Sequence, residues 1–158
     1  MVVRQRKLCL RDRSGVARQL ESTTGNTESA VGFGAAGRIN TFGKDDFRFQ
    51  IHAGNTGRYV GVTAATDMVG EEVEESISIM GAYRHFWTET LRSSVFVGYQ
   101  ETEESDRERM HVGVNLFTNV TKQLSFGVEV GSFAIDDNAP GAATGDSAYL
   151  QFSTKFVL

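Results

Sequence analysis

From Phe47 to Ala53 the chain reads Phe-Arg-Phe-Gln-Ile-His-Ala, with every odd position apolar. A strand sends successive side chains to opposite faces, so this segment has one greasy face and one wet face; a helix would scatter the same residues around its axis. The pattern recurs. Val31, Phe33, Ala35 and Ile39 alternate with Gly32, Gly34, Ala36, Arg38 and Asn40. Leu91, Val95, Val97 and Tyr99 alternate with Arg92, Ser94, Gly98 and Gln100; Met110, Val112, Val114 and Leu116 with Arg109, His111, Gly113 and Asn115. Leu124, Phe126, Val128 and Val130 alternate with Ser125, Gly127 and Glu129; Leu150, Phe152, Phe156 and Leu158 with Gln151, Ser153 and Lys155. A noisier stretch sets Ile77, Ile79 and Tyr83 against Ser76, Ser78 and Arg84. The periodicity predicts an all-β chain, an antiparallel meander of about eight strands near 14–21, 29–40, 45–54, 75–86, 90–100, 107–117, 122–134 and 146–158. Several match the roughly 9–11 residues that cross a bilayer as a tilted strand.

Short turns are expected at 41–44, 87–89 and 118–121, and longer polar loops at 22–28, 55–74, 101–106 and 135–145. In a meander every second connection lies on the same side, so one rim carries turns and the other loops, as in outer-membrane barrels. The loop rim is acidic, with Glu71, Glu72, Glu74, Glu75, Glu101, Glu103, Glu104, Asp106, Asp136 and Asp137. Two aromatic belts are expected, Phe42, Phe47, Phe86, Trp87, Phe117 and Phe156 at the turn rim and Tyr59, Tyr99, Phe133 and Tyr149 at the loop rim, because amphipathic rings favour bilayer–water interfaces.

Composition narrows the field. In 158 residues there are 17 Gly, 11 Phe, one Pro and one Cys, with a net charge of −4. The charge argues against nucleic acid as a partner, and a single Cys excludes an intrachain disulfide framework and any Cys-rich zinc site. No apolar run is long enough for a spanning helix. A mean hydropathy of −0.26 is compatible with a membrane barrel, in which only half of each strand meets lipid.

A soluble barrel and a membrane barrel share this alternation and differ in which face is outside. An eight-stranded soluble barrel fills its interior with bulky apolar groups. Here the apolar face is expected to meet lipid through Phe47, Phe49, Ile51, Val95, Val97, Val112, Val114, Phe126, Val128, Phe152, Phe156 and Leu158. The other face is mostly Gly, Ser, Asn, Gln and Arg, with aromatic exceptions at Phe86, Phe96, Phe117 and Phe133, which suits a water-lined wall. The C-terminal alternation of Leu150, Phe152, Thr154, Phe156 and Leu158 looks like the signal that outer-membrane barrels present to their assembly machinery.

Several segments carry a resemblance. They are Gly37-Arg-Ile-Asn-Thr-Phe-Gly-Lys-Asp-Asp-Phe-Arg-Phe-Gln50, Gly57-Arg-Tyr-Val-Gly61, Ala82-Tyr-Arg-His-Phe-Trp87 with Leu91-Arg-Ser93, and Leu150-Gln-Phe-Ser-Thr-Lys-Phe156. Together they resemble the DcaP-like trimeric outer-membrane porins of Gram-negative bacteria, over residues 14–158. The resemblance implies the C-terminal half of a transmembrane β-barrel of about sixteen strands, embedded among outer-membrane lipid and lipopolysaccharide. It also implies a homotrimer when full length and passive diffusion of small hydrophilic or anionic solutes, with no catalysis and no cofactor. Residues 1–13 carry five basic residues and the only Cys, do not resemble the family and lack the apolar core of a secretory signal. They are expected to be a disordered extra segment, and the chain a fragment or the product of a truncated or mis-started reading frame.

Among candidate sites, Arg38, Arg48, His52, Arg84, Arg92, Arg109, His111 and Lys155 all project to the polar face. Fixed positive charge in a partly desolvated channel concentrates anions. The alternative is a wall network in which these bases pair with Asp46, Glu108 and Glu129, and both readings stay open at this point. Gly32-Phe-Gly-Ala-Ala-Gly37 matches the dinucleotide fingerprint formally, but no helix follows it. The three histidines lack metal-ligand spacing. A Ser–His pair on the wall is conceivable, but no Gly-x-Ser-x-Gly elbow accompanies it. The acidic loops could bridge divalent cations to lipopolysaccharide phosphates, although no EF-hand pattern occurs. Two further assignments compete with a porin: a small closed eight-stranded barrel with an anchoring role, and a soluble barrel around a lipophile.

Overall fold

A computed structural model describes residues 8–57, 66–138 and 144–157. Ten strands follow one another: β1 (Leu8–Glu21), β2 (Thr27–Asn40), β3 (Asp46–Gly54), β4 (Met68–Val69), β5 (Glu72–Val73), β6 (Ser76–Phe86), β7 (Leu91–Thr102), β8 (Arg107–Asn119), β9 (Leu124–Asp137) and β10 (Gly145–Phe156). Eight of them form one antiparallel meander in the order β1-β2-β3-β6-β7-β8-β9-β10, and β4 and β5 make a separate two-stranded ribbon. All eight expected strands are present. No hydrogen bonding joins β1 to β10 among the described residues, so the sheet is open with two long edges.

Three expectations change. The segment expected to be disordered is partly strand: β1 starts at Leu8 and pairs with β2 from Leu8↔Ile39 onward, with a register shift between Leu10 and Asp12. Such a bulge offsets the alternation, which hides this stretch from a period-two reading. Residues 1–7 lie outside the described residues. Second, the two rims differ less than expected. The connections at 22–26 and 103–106 are as tight as those of the turn rim, because β1, β2, β7 and β8 run on into them. Only 55–75 and 138–144 are long, and the first contains the β4–β5 ribbon. Third, both aromatic belts thin: at the turn rim Phe86 and Phe117 face the polar side beside Arg84 and Arg92, and the loop-rim belt reduces to Tyr99. Phe133 and Tyr149 face the polar side against His111, and Tyr59 lies outside the described residues.

The pairing register fixes two faces. One row joins Phe49, Gly81, Val97, Val112 and Ser132; the next joins Phe47, Tyr83, Val95, Val114 and Val130. On the opposite face one row joins His52, Ser78, Gln100 and Arg109. The usual inside-out relation is reversed. Ala30 is the single buried apolar side chain among the described residues, whereas Asp46, Ser76, Ser78, Gln100 and Thr102 are all buried. On the apolar face Phe126 is 45% exposed and Phe152 78%. A contiguous exposed apolar surface of this extent is unusual for a folded chain standing alone in water.

Glycines on the polar face have a specific cause. The rings of Phe96, Phe117 and Tyr149 lie across Gly113, Gly127 and Gly131 on the neighbouring strand, in space that a Cβ would occupy. Ring and glycine form a covered cross-strand pair, which accommodates aromatics on an otherwise polar wall. Gly54 is a different case. It ends β3 with φ +92 and packs against the Val31 carbonyl, where a side chain would be both strained and in collision.

Candidate functional site

All eight bases singled out from the sequence lie on the polar face, and the described apolar residues assigned to the opposite face lie there; Leu158 is outside the described residues. The bases do not form one uniform row. Arg38 and Arg48 are direct cross-strand partners, an arrangement that is repulsive by itself. Asp46, two positions up β3 and opposite Arg84, resolves the repulsion. It is wholly buried. Its Oδ1 accepts from Arg48 Nε at 2.8 Å, while Oδ2 accepts from Arg84 Nε at 3.1 Å and lies 3.2 Å from Arg38 Nη2. Three guanidiniums share one carboxylate, leaving a formal excess of two positive charges at this point of the polar face. Arg84 also lies over the Phe86 ring, 5.0 Å from its centroid.

Arg92, one row nearer the turns, donates to Asn119 Oδ1 at 3.0 Å and lies 5.3 Å from the Phe117 centroid, with no carboxylate beside it among the described residues. Lys155 is exposed on the edge strand β10. Toward the loop rim two bases share one acid: Arg109 and Arg107 both face Asp137, leaving a formal excess of one positive charge, and Arg109 also donates to the Glu108 carbonyl at 2.8 Å. Of the three acids expected to pair with the bases, only Asp46 does so directly. Glu129 accepts from Tyr149 at 2.8 Å and Asn115 at 3.0 Å, and the Glu108 carboxylate shares the other face with Glu101 and Asp136. Because the Tyr149 hydroxyl donates to Glu129, His111 Nε2 is the donor to the Tyr149 oxygen, at 2.9 Å. His52 accepts from the Gln50 amide.

Both rims are braced by carboxylates. In the turn 41–45, Asp45 accepts from the Phe86 amide at 2.9 Å, from His85 at 2.6 Å and from the Tyr83 hydroxyl at 3.1 Å. The Phe86 amide, then His85, hold its carboxyl below the usual 3.8. His85 stands edge-on to Trp87 with centroids 4.4 Å apart, and Trp87 donates to Ser93 at 3.0 Å. At the loop rim Asn55 donates to the Asp67 and Glu74 carbonyls at 3.0 and 2.7 Å. The Glu74 carboxylate caps the 103–106 turn through the Glu104 and Ser105 amides. Glu71 accepts from Thr24 and Asn26, and the Thr24 hydroxyl foremost holds its carboxyl below its ordinary value. Glu104 is pushed the other way by the neighbouring Glu72. So two acids of the expected acidic loop rim, Glu71 and Glu74, are structural clamps. Among the described residues no group of three or more His, Cys, Asp or Glu is arranged to hold a metal.

Compared with known proteins, the chain matches no family model, no curated protein and no solved structure.

Proposed function

We propose that this chain forms part of the wall of an outer-membrane β-barrel channel through which small hydrophilic solutes, preferentially anions, diffuse passively. The observation that carries the reading is the inverted burial: the enclosed face is polar and the exposed face apolar. A barrel holding a lipophile in water would require the reverse arrangement. In lipid, hydrocarbon side chains face the acyl tails, and the paired strands satisfy the backbone groups that the bilayer cannot. The edges of β1 and β10 are then joined by further strands or to each other, since an open edge does not persist in hydrocarbon. The Arg38–Arg48–Arg84 cluster supplies the anion preference. Its net charge on a narrow, partly desolvated wall raises the local anion concentration and lowers that of cations. DcaP-like resemblance in the Gly37–Gln50 and Ala82–Trp87 segments agrees with this assignment.

The test is a reversal potential measured across a planar bilayer in a salt gradient. Neutralising Arg48 and Arg84 together (Arg48→Gln, Arg84→Gln) should move it toward cation preference. An unchanged reversal potential sinks the anion reading, and absence of any conductance favours a barrel that only anchors.

A further inference from the structure

The polar wall changes character along its length. Near the turns it is charged; nearer the loops it holds a recess that the arginine cluster does not explain. The floor is Gly98 on β7, where a side chain would find open space, with only the His111 carbonyl oxygen at 4.0 Å. Met80 and His111 flank Gly98 in the same cross-strand row. His111 stands edge-on to Phe96 and Phe133 with centroids 5.1 and 5.9 Å apart, which makes one side of the recess aromatic. The other side is the neighbouring row, in which Ser78 and Gln100 are direct partners.

These two residues are only 6% and 4% exposed, and both line the recess. Ser78 Oγ and Gln100 Oε1 have no hydrogen-bond partner among the described residues. Buried polar atoms are normally satisfied, so an adjacent unpartnered pair on two residues that line an open recess points to a donor supplied from outside the chain. The nearby polar groups are already engaged: His52 by Gln50, His111 by Tyr149, and Arg109 by Asp137. Among the described residues that line the recess, the one arginine is thus held in an ion pair with Asp137, and the Gln100 carbonyl oxygen would repel an anion. What fits is a neutral group with O–H donors on one side and a C–H surface on the other, the latter meeting the negative faces of the rings.

We propose that this recess is a binding subsite for a neutral polyhydroxylated solute of monosaccharide size, held by hydroxyls donated to Gln100 Oε1 and Ser78 Oγ and by contact with Phe96 and His111. The subsite rests on the reading of the polar face as a wet wall. It divides that wall into a charged zone that sorts by sign and a neutral zone that retains sugars and polyols.

The full chain, folded in detergent micelles and labelled at the methionine methyls, tests this with D-glucose as probe and sodium sulfate as control. Met80 lies on the recess face, and Met110, equally exposed, lies on the apolar face. Glucose should shift the Met80 methyl saturably, leave Met110 unmoved, and be indifferent to sulfate. Gln100→Leu should weaken the titration about tenfold, the loss expected for one hydrogen bond. Gly98→Val should abolish it by filling the floor, with heat-modifiable gel migration confirming that each variant folds. A linear shift, an equal shift at Met110, or displacement by sulfate overturns the subsite. A water-soluble gadolinium chelate separates the two failures. If it broadens Met80 and spares Met110 while glucose does nothing, only the subsite falls; if it broadens Met110 and spares Met80, the wet-wall reading falls with it.

Discussion

Replacing Asp46 with asparagine removes the one charge that three arginines share while keeping its shape. Arg38 and Arg48 then face each other directly across β2 and β3, with Arg84 opposite the neutral amide. In the wild-type protein the carboxylate holds these guanidiniums at 3.2, 2.8 and 3.1 Å. At about 4 Å and an effective dielectric near 20, one charge pair is worth about 4 kcal/mol. The arginine side chains are 30%, 49% and 24% exposed, so solvent screening reduces each ion pair to about 1 kcal/mol. The sum, about 3 kcal/mol, falls at the lower end of the cost of breaking a buried ion pair. Equilibrium urea unfolding in micelles at low salt measures it, and high salt should narrow the difference by screening the exposed side of the cluster. Arg84→Gln placed on top of Asp46→Asn should recover part of the loss, because it removes one of three mutually repelling charges. In a conducting barrel the same Asp46→Asn change should raise anion preference while lowering stability. Unaltered stability at low salt, or a double variant weaker than the sum of the singles, would refute the shared-carboxylate account.

Other consequences are as direct. Gly127→Ala should cost about 1–3 kcal/mol through displacement of the Phe117 ring, with most of the loss relieved in the Gly127→Ala, Phe117→Leu double variant; a wild-type unfolding midpoint for Gly127→Ala would contradict the covered-glycine pairing. Asp45 has a folded-state value below its ordinary 3.8, so its stabilisation is present above that value and is lost as pH falls through the lower one. Asp45→Asn should therefore flatten the acid limb of the stability profile below pH 3.8 while lowering stability at neutral pH, and parallel acid limbs for the two proteins would show that the turn hub does not matter.

Period two is enough to locate the eight long strands and to sort the bases from the hydrocarbons, because parity alone decides the face. It fails where the pattern is broken or too short to have a period. The bulge after Leu10 offsets the alternation in β1, and Met68–Val69 with Glu72–Val73 are two-residue strands. It also stops strands too early where they end in charges: β9 runs through Asp137, and an early end to that strand hides the partner of Arg109. Side-chain pairs that depend on inter-strand register are out of its reach for a different reason. Parity places His111, Glu129 and Tyr149 on one face, but only the pairing of β8 with β9 and β9 with β10 brings them within hydrogen-bond distance. The glycines at 113, 127 and 131 belong to the same class, since each is explained by a ring on the adjacent strand.

The claim on which the rest depends is that the apolar face meets lipid. Relaxation by spin-labelled lipids measures it directly on the valine methyls of the chain reconstituted in nanodiscs. Val95, Val97, Val114 and Val130 should be broadened strongly by labels carried along the acyl chain, and the Met80 methyl on the opposite face should not. Strong broadening at Met80 with the four valines spared would place water where hydrocarbon is required and contradict the account.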